Sequence, residues 1–266
     1  MILKAFKIID NLFRTDFKLK TGLDELPFVI LMTGFNNQKY IKKSLESALN
    51  QEYKNFQIIY IDDASTDQSP QILANFKNSK LKKQLNEQRQ GKLKNLFEAA
   101  HSLSNDKIIL EFDGDDYLID NLALKRFNQT YQDGAKLVYA NYENNPKKIA
   151  QELRIQNFSQ RIPKPVSNFR KWPWIFSGLR SYPAKFFKEI KKEDLIWNEK
   201  FLPVFHDAAI FYPMLEMAGG KTGYISQPQL IRNIDSPIND FKTHSDKLKT
   251  KIRNHVLSKK NYEKII

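Results

Sequence analysis

The chain has 266 residues, of which 41% are hydrophobic and 12% aromatic, so it can bury a sizeable core and is not a wholly disordered protein. It contains no cysteine, which excludes disulfides, thiolate metal sites and a cysteine nucleophile. The formal net charge of +13 favours anionic partners such as nucleotides, nucleic acid, phosphorylated glycans or an acidic membrane, without choosing among them.

The first 26 residues are typical of an amphipathic basic helix, because apolar side chains recur at helical spacing among lysines and an arginine. Such a helix either packs on the main domain or lies on a membrane surface, and both interpretations stay open. The chain has no apolar run of about 20 residues, and residues 1–4 do not resemble a secretory signal. We therefore expect a cytoplasmic protein, with peripheral attachment to a membrane surface as an open alternative.

From Pro27 onward, short apolar runs alternate with segments of helical spacing. The predicted strands of this first half are residues 28–32, 56–61 and 107–112, separated by helices around 41–49, 70–76 and 93–100. Alternation of this kind is typical of a parallel, Rossmann-like sheet. The second half predicts a strand at 136–140, a connection at 150–175, helices at 182–190 and 207–218, short strands near 222–225 and 229–233, and a Lys-rich helix or tail from 245.

No internal repeat or low-complexity linker divides the chain. We therefore predict one α/β domain, residues 27–244, in which helices flank a mixed but mainly parallel sheet. Residues 1–26 are expected to form an N-terminal extension and residues 245–266 a basic C-terminal helix or tail, and neither is expected to take part in chemistry.

The tetrad Asp113-Gly114-Asp115-Asp116 directly follows the apolar run 108–112. Open α/β folds bind ligands at the carboxyl ends of their strands. In an extended segment the side chains of Asp113 and Asp115 point the same way, and two such carboxylates beside an open position suit Mg²⁺ or Mn²⁺. An ordinary polar turn after a strand is the alternative interpretation.

Three strand ends in this order resemble the family 2 glycosyltransferases of GT-A fold. The stretches MTGFNN at 32–37, IDDASTD at 61–67 and FDGDD at 112–116 resemble the family's T/S-x-N, DD-x-S-x-D and D-x-D turns. Residues 177–182, 206–219 and 233–240 resemble its later motifs, so the resemblance spans about residues 27–245. The chain departs from the family pattern at Ala64 and Gly178, which stand where the family has Gly and His.

The resemblance implies an inverting, metal-dependent glycosyltransferase that moves a sugar from a nucleotide-sugar donor, expected to be a UDP-sugar, to a hydroxyl of a glycan, protein or lipid acceptor. It implies that Asp115 ligates Mn²⁺ or Mg²⁺, that Asp113 contacts ribose or metal-bound water, and that His244 is a further metal ligand. Asp207 becomes the general base, with His206 as a rival. The residues expected to bind the nucleotide sugar are Thr33, Phe35, Asn36, Asp63, Lys92, Lys94, Asp113 and Gly114. The residues expected to border the acceptor and the donor sugar are Trp172, Trp174, Gly178, Arg180 and His206.

Each assignment has a purely structural alternative. Asp63 and Asp207 are also in positions to cap helices, lysines on a helix face are commonly solvated, and tryptophans commonly anchor a core. At the level of function, the alternatives are a non-catalytic sugar-nucleotide-binding domain and a basic nucleic-acid-binding module. The second would show a stripe of Arg and Lys with an exposed aromatic platform, and it would leave three acidic strand ends unexplained. We therefore expect a glycan, glycoprotein or glycolipid partner and no nucleic acid.

Overall fold

The computed structural model describes residues 17–146, 168–172, 174–235 and 240–265. Most of the predicted N-terminal helix and of the connection 150–175 therefore lies outside the described residues. The strands are β1 (Phe28–Gly34), β2 (Phe56–Asp62), β3 (Leu81–Leu85), β4 (Ile108–Asp113), β5 (Tyr117–Leu118), β6 (Leu137–Asn145), β7 (Arg180–Pro183), β8 (Ile196–Trp197), β9 (Lys200–Phe201) and β10 (Thr222–Asn233). The helices are α1 (Ile41–Leu49), α2 (Ser69–Asn75), α3 (Lys92–Ser102), α4 (Ala123–Gln132), α5 (Ala184–Lys188), α6 (His206–Met217), α7 (Asp240–Thr243) and α8 (Asp246–Leu257), with 3₁₀ turns at Phe169–Lys171 and Lys192–Leu195.

Within the described residues, eight strands form one mixed sheet in the order β3-β2-β1-β4-β7-β6-β10-β5. The strands β3, β2, β1 and β4 run parallel, whereas β7 is antiparallel to both β4 and β6. The mixed, mainly parallel sheet of the prediction is therefore confirmed. The register pairs Thr33 with Asp113 and Gly34 with Asp62, so the turns that follow β1, β2 and β4 meet at one edge of the sheet.

The sheet separates two hydrophobic layers, because alternate residues of a strand face opposite sides. On β1, Phe28, Ile30 and Met32 pack against α1 and α4, while Val29 and Leu31 face the side covered by α3 and α6. All seven residues of β1 are buried, which explains why the strand is a continuous apolar run rather than an alternating one.

Two of the local predictions differ from the structure. The predicted helix 182–190 begins as strand β7, and only Ala184–Lys188 is α-helical. The two short strands predicted near 222–225 and 229–233 are one strand, whose register against β6 shifts around Pro228. A proline has no N–H to donate to the ladder, so this position reads as a break in the sequence although the strand continues past it.

The C-terminal segment packs on the domain. Ser245 caps helix α8, and the side chains of Ile252 and Val256 are buried in the layer that contains α6. Among the described residues, every helix is too short or too polar to cross a membrane.

Candidate active site

A cleft of about 790 Å³ opens at the sheet edge where the turns after β1, β2 and β4 meet. Twelve of the residues predicted from sequence line it: Thr33, Phe35, Asp63, Lys92, Asp113, Asp115, Trp172, Trp174, Gly178, Arg180, His206 and Asp207. The cleft thus brings together residues from opposite halves of the chain. Asn36, Lys94, Gly114 and His244 are not among its lining residues.

One end of the cleft is formed by Phe35, Asp63 and Arg89. The Arg89 guanidinium lies 4.0 Å from the centre of the Phe35 ring. Asp63 is almost fully buried, and its two carboxylate oxygens accept hydrogen bonds from the backbone N–H groups of Gln90 and Gly91, each at 2.8 Å. Burial raises the pKa of Asp63, but these and other hydrogen bonds outweigh it, so the pKa lies below its usual range. Asp63 therefore orders the loop before α3, and its contact with a nucleoside stays a prediction.

Asn36 and Lys94 make contacts within the protein instead of facing the cleft. Asn36 has a left-handed backbone (φ 48°), and its side-chain oxygen accepts a hydrogen bond from the Thr66 N–H at 2.7 Å. This contact ties the turn after β1 to the turn after β2. Lys94 bonds to Gln90 and lies 3.7 Å from Glu98, one turn along α3. Its contacts are those of a lysine on a solvated helix face, which is the structural alternative given above.

Gly114 makes a close backbone approach possible in the acidic turn. Its N–H donates to the Thr33 carbonyl at 2.8 Å. A Cβ atom at this position would lie 2.6 Å from the Tyr60 hydroxyl, closer than normal contacts permit, and a tight 3.1 Å from the Thr33 carbonyl oxygen. Glycine at position 114 therefore lets the turn after β4 lie directly against the turn after β1 without displacing these groups.

The carboxylates of Asp113, Asp115 and Asp116 form one cluster, with oxygen atoms that lie within 4.8 Å of one another. Burial and the neighbouring Asp113 charge raise the pKa of Asp115 to about 7. Burial and the charges of Asp115 and Asp113 raise the pKa of Asp116 well above its usual range. The raised pKa values follow from the closeness of three carboxylates that nearby positive charge neutralises only in part.

Strand β10 completes the surroundings of this cluster from the far end of the chain. The Asn233 N–H donates to Asp116 Oδ1 at 2.8 Å, and the Asn233 side-chain amide bonds to the Asp115 carbonyl. Arg232 lines the cleft beside them, 5.6 Å from the Tyr142 ring.

A buried network of charges connects the acidic turn to helix α6. At its centre is Glu111 on β4, which is 1% exposed. Its carboxylate accepts a hydrogen bond from the Tyr182 hydroxyl at 2.5 Å and lies 3.5 Å from Arg180 Nη2 and 3.6 Å from Lys92 Nζ. Lys92 Nζ in turn lies 2.6 Å from Asp113 Oδ1. Burial lowers the pKa of Lys92, but the surrounding carboxylates outweigh it and raise the pKa above its usual range, so Lys92 stays charged.

Asp207 lies in the first turn of α6, and its side chain is 36% exposed. Its Oδ1 atom is 2.9 Å from Arg180 Nη2 and 3.9 Å from Lys92 Nζ, although neither contact has the geometry of a hydrogen bond. Burial raises the pKa of Asp207, but the charges of Arg180 and Lys92 outweigh it, so the pKa lies well below its usual range. Asp207 is therefore ionised, and its Oδ1 accepts no hydrogen bond from the described residues.

Aromatic side chains line the cleft beyond Asp207. The Trp174 ring centre is 5.3 Å from that of Tyr212 on α6. Trp172 is 37% exposed and is the one aromatic residue among the exposed large hydrophobic residues of the described chain. His206 Nε2 lies 3.9 Å from Asp207 Oδ1, so the two candidate bases are neighbours.

His244 follows helix α7 and is not part of the carboxylate cluster in the described residues. Its Nδ1 atom lies 3.2 Å from the Thr243 hydroxyl. Its assignment as a metal ligand stays a prediction.

The model of glycosyl transferase family 2 matches residues 29–194. The chain belongs to this family. The glycosyltransferase GlyG of Streptococcus pneumoniae serotype 4 is 26% identical over 179 residues, which are 62% of this chain and 56% of GlyG. The chain spans about half the length of the relatives that it matches over more than a hundred residues.

Solved structures of the GT-A type share the fold. Residues 1–349 of S. aureus TarS, crystallised with UDP-GlcNAc, superpose with a TM-score of 0.60 at 16% identity, covering 88% of this chain and 67% of that one. The mannosyltransferase PcManGT from Pyrobaculum calidifontis, in complex with GDP-Man and Mn²⁺, gives a TM-score of 0.55 at 15% identity, covering 96% of this chain and 75% of that one. At these identities the likeness shows the fold alone.

Several cleft residues of this family 2 chain were not predicted from sequence. They are Glu111, Arg170, Lys171, Tyr212, Arg232 and Arg253. Glu111 carried a usable signal, because it is the one charged residue inside the apolar run 108–112. A charge within a fully buried strand is retained only when it is paired.

Proposed function

We propose that the protein transfers a sugar from a UDP-sugar to a hydroxyl of a glycan, protein or lipid, with inversion at the anomeric carbon and with Mn²⁺ or Mg²⁺ held by Asp113 and Asp115. Membership of family 2 supports the transfer of a sugar from a nucleotide sugar. One structural observation carries the proposal: the Lys92 ammonium contacts both Asp113 of the acidic turn and Asp207 of α6. The candidate metal ligand and the candidate base thus meet at one point of one cleft.

The dimensions of the cleft and the structural neighbours support a nucleotide-sugar donor. Ligand pockets commonly have volumes of about 300–1,000 Å³, and this cleft of about 790 Å³ lies in that range. TarS was crystallised with UDP-GlcNAc and PcManGT with GDP-Man, and both share this fold. The nucleoside would bind at the end formed by Phe35, Asp63 and Arg89.

The acidic cluster fits a divalent cation. Carboxylate oxygens are the ligands that Mg²⁺ and Mn²⁺ prefer, and the raised pKa values of Asp115 and Asp116 report an excess of negative charge that a cation would relieve. When bound, the cation would supply positive charge against the leaving diphosphate. The Mn²⁺ in the PcManGT complex supports this choice of ion.

Asp207 would remove the proton from the acceptor hydroxyl as the acceptor oxygen attacks the anomeric carbon opposite the leaving diphosphate. The Asp207 side chain lines the cleft and is 36% exposed, so its carboxylate is accessible to that hydroxyl, and helix α6 fixes its position. Arg180 keeps Asp207 ionised and thereby also makes it a weaker base. We infer that Arg180 lowers the basicity of Asp207 and, by the same charge, keeps its carboxylate in the deprotonated form that a general base needs.

A donor screen tests the proposal. Binding of a donor at a hundredfold excess over its dissociation constant adds about 2.7 kcal/mol of apparent stability, so thermal shift with a panel of sugar nucleotides and Mn²⁺ should find the donor. Slow hydrolysis of the same donor should follow, and NMR of the transfer product should show an inverted anomeric configuration. Equal binding of UDP with Mn²⁺ and with excess chelator would contradict the metal site, and a retained configuration would contradict the role of Asp207. Donor binding without hydrolysis or transfer would indicate a non-catalytic binding domain.

A further inference from the structure

Two basic side chains at the mouth of the cleft, Lys171 and Arg253, have no carboxylate partner among the described residues. The other basic side chains of the cleft near α6 do have one. Lys92, Arg170 and Arg180 line the cleft and each lies within 4.0 Å of a carboxylate. Lys171 and Arg253 also line it, are exposed, and form no ion pair with any residue that the structure describes. Positive charge at this mouth is therefore available to a ligand.

Buried contacts of Arg170 fix the backbone segments that carry these two cations. The Arg170 guanidinium forms two bonds to the Glu216 carboxylate on α6, at 2.7 and 3.0 Å, and donates to the Val256 carbonyl on α8 at 2.7 Å. Lys171 is its neighbour in sequence, and Arg253 lies one turn before Val256 on α8. A buried residue thus ties together the two segments that carry Lys171 and Arg253.

The mouth lies along α6 from the candidate base. Tyr212 is five residues after Asp207, which corresponds to about 7.5 Å along the helix axis. The Arg170 guanidinium lies 6.0 Å from the Tyr212 ring, and the charge of Arg253 also acts on Tyr212, opposing the increase in its pKa that burial causes. The exposed Trp172 and the Trp174 ring border the same region, so aromatic faces and cations occur together.

We propose that the acceptor carries a phosphate group close to the sugar that is glycosylated, with the phosphate bound by Lys171 and Arg253 and the sugar ring packed on the tryptophans. This inference rests on the proposed sugar transfer. A guanidinium and an ammonium suit the charge and oxygen geometry of phosphate, and sugar rings pack on aromatic faces. The phosphate belongs either to a lipid-linked diphosphate or to a phosphodiester within a polymer, since both present the same chemistry to the two cations.

Matched acceptors test the proposal. Each hexoside of a panel is prepared in three forms: with an alkyl diphosphate at C1, with a glycerol phosphodiester, and with an uncharged alkyl group. We expect the protein to favour one or both phosphate-bearing forms by roughly tenfold or more in kcat/KM, the size expected for charge-assisted contacts in a partly exposed site. The form that is favoured identifies the source of the phosphate.

Variants assign the preference to the two residues. The double variant Lys171→Ala/Arg253→Ala should lose the preference, and Lys171→Arg/Arg253→Lys should keep it. Lys251→Ala removes a charge from an exposed position of α8 that does not line the cleft, so it should leave the preference unchanged. Higher salt should weaken binding of the phosphate-bearing forms and not of the uncharged one.

Tryptophan fluorescence gives a readout that needs no donor. Titration with the three hexoside forms should show tighter binding of a phosphate-bearing form, with Trp172 and Trp174 reporting. Equal affinity and equal kcat/KM for charged and uncharged forms would overturn the inference, as would a preference that survives in the double alanine variant. Failure of sugar transfer with tight phosphate-dependent binding would instead count against the proposed function.

Discussion

The buried ion pair between Arg170 and Glu216 is expected to contribute strongly to the stability of the fold. A single isosteric substitution that breaks it should lower the free energy of unfolding more than any other such change. Both side chains are 4% exposed, and the two hydrogen bonds between them measure 2.7 and 3.0 Å. Glu216→Gln preserves the shape of the side chain but removes its charge. Arg170 then keeps the Val256 carbonyl as a hydrogen-bond acceptor and has no carboxylate partner among the described residues.

The expected cost follows from leaving a buried charge unpaired. Removing one partner of a buried ion pair typically destabilises a protein by about 3–5 kcal/mol. A domain's total stability is about 5–15 kcal/mol, so the variant should lose a large part of it. The loss should fall first on α8, because Glu216 also accepts a hydrogen bond from the Tyr262 N–H beyond that helix.

Urea unfolding followed by circular dichroism measures the free energy of unfolding, and limited proteolysis shows whether the C-terminal helix is cleaved first. Glu46→Gln is the matched control, because it breaks an exposed pair in which the Lys42 and Glu46 atoms are 4.0 Å apart. Such surface pairs contribute only about 0.3–0.5 kcal/mol. The double variant Arg170→Met/Glu216→Leu should be more stable than Glu216→Gln, because no unpaired charge remains buried.

A loss below about 1 kcal/mol for Glu216→Gln would refute this reasoning, because burial of an unpaired guanidinium costs more than that. Equal stability of the Glu216→Gln variant and the double variant would refute it as well. Either result would mean that water or another group reaches Arg170 when its carboxylate partner is gone.

Three further predictions concern the cleft itself. Asp207→Asn should lower the transfer rate by about 10²–10⁴-fold while donor binding measured by calorimetry stays unchanged, since it removes the base and leaves Arg180 in place; a near wild-type rate would exclude Asp207 as the base. Gly114→Ala should abolish Mn²⁺-dependent donor binding, because its Cβ would lie 2.6 Å from the Tyr60 hydroxyl, and adding Tyr60→Phe should restore part of it. The pKa of Asp115 is raised from 3.8 to about 7 in the folded protein, so between these values the folded metal-free state holds a proton that the unfolded chain has released. Its stability should therefore fall as pH rises from about 4 to about 7, and Mn²⁺ should bind more tightly over the same interval with release of protons, which calorimetry in buffers of different ionisation enthalpy would detect.

The parts of the site that follow strands were predictable from sequence. Buried parallel strands are apolar runs, and the polar residues that follow them must meet at one sheet edge. This is why the cleft contains Thr33, Asp63 and Asp113 together. The same reasoning failed to separate residues that face the cleft from those that support it, since Asn36 follows β1 as closely as Phe35 does but bonds to Thr66 in the neighbouring turn.

Contacts between residues that are distant in sequence were not predictable. Arg170 and Glu216 are 46 residues apart, and Lys92 and Asp207 join elements from opposite halves of the chain. A lysine or an arginine considered alone is usually predicted to be a solvated surface residue. Nothing in the local sequence pattern distinguishes Lys92, which lies in the buried network, from Lys94, which lies on the solvated face of the same helix. Only the packing of α3 against β4 and α6 makes that distinction.

The C-terminal helix shows how such long-range pairing can change the function assigned to a segment. Its lysines suggest a solvated tail, and only Ile252 and Val256 are buried on the domain. Leu248 and Leu257 pack partly buried against the same layer, and the bond from Arg170 to the Val256 carbonyl strengthens this anchor. With α8 packed in this way, Arg253 lines the cleft while Lys251 does not. The basic residues of α8 therefore do not all have the same role: Lys251 is exposed away from the cleft, whereas Arg253 lines it and is a candidate determinant of which acceptor binds.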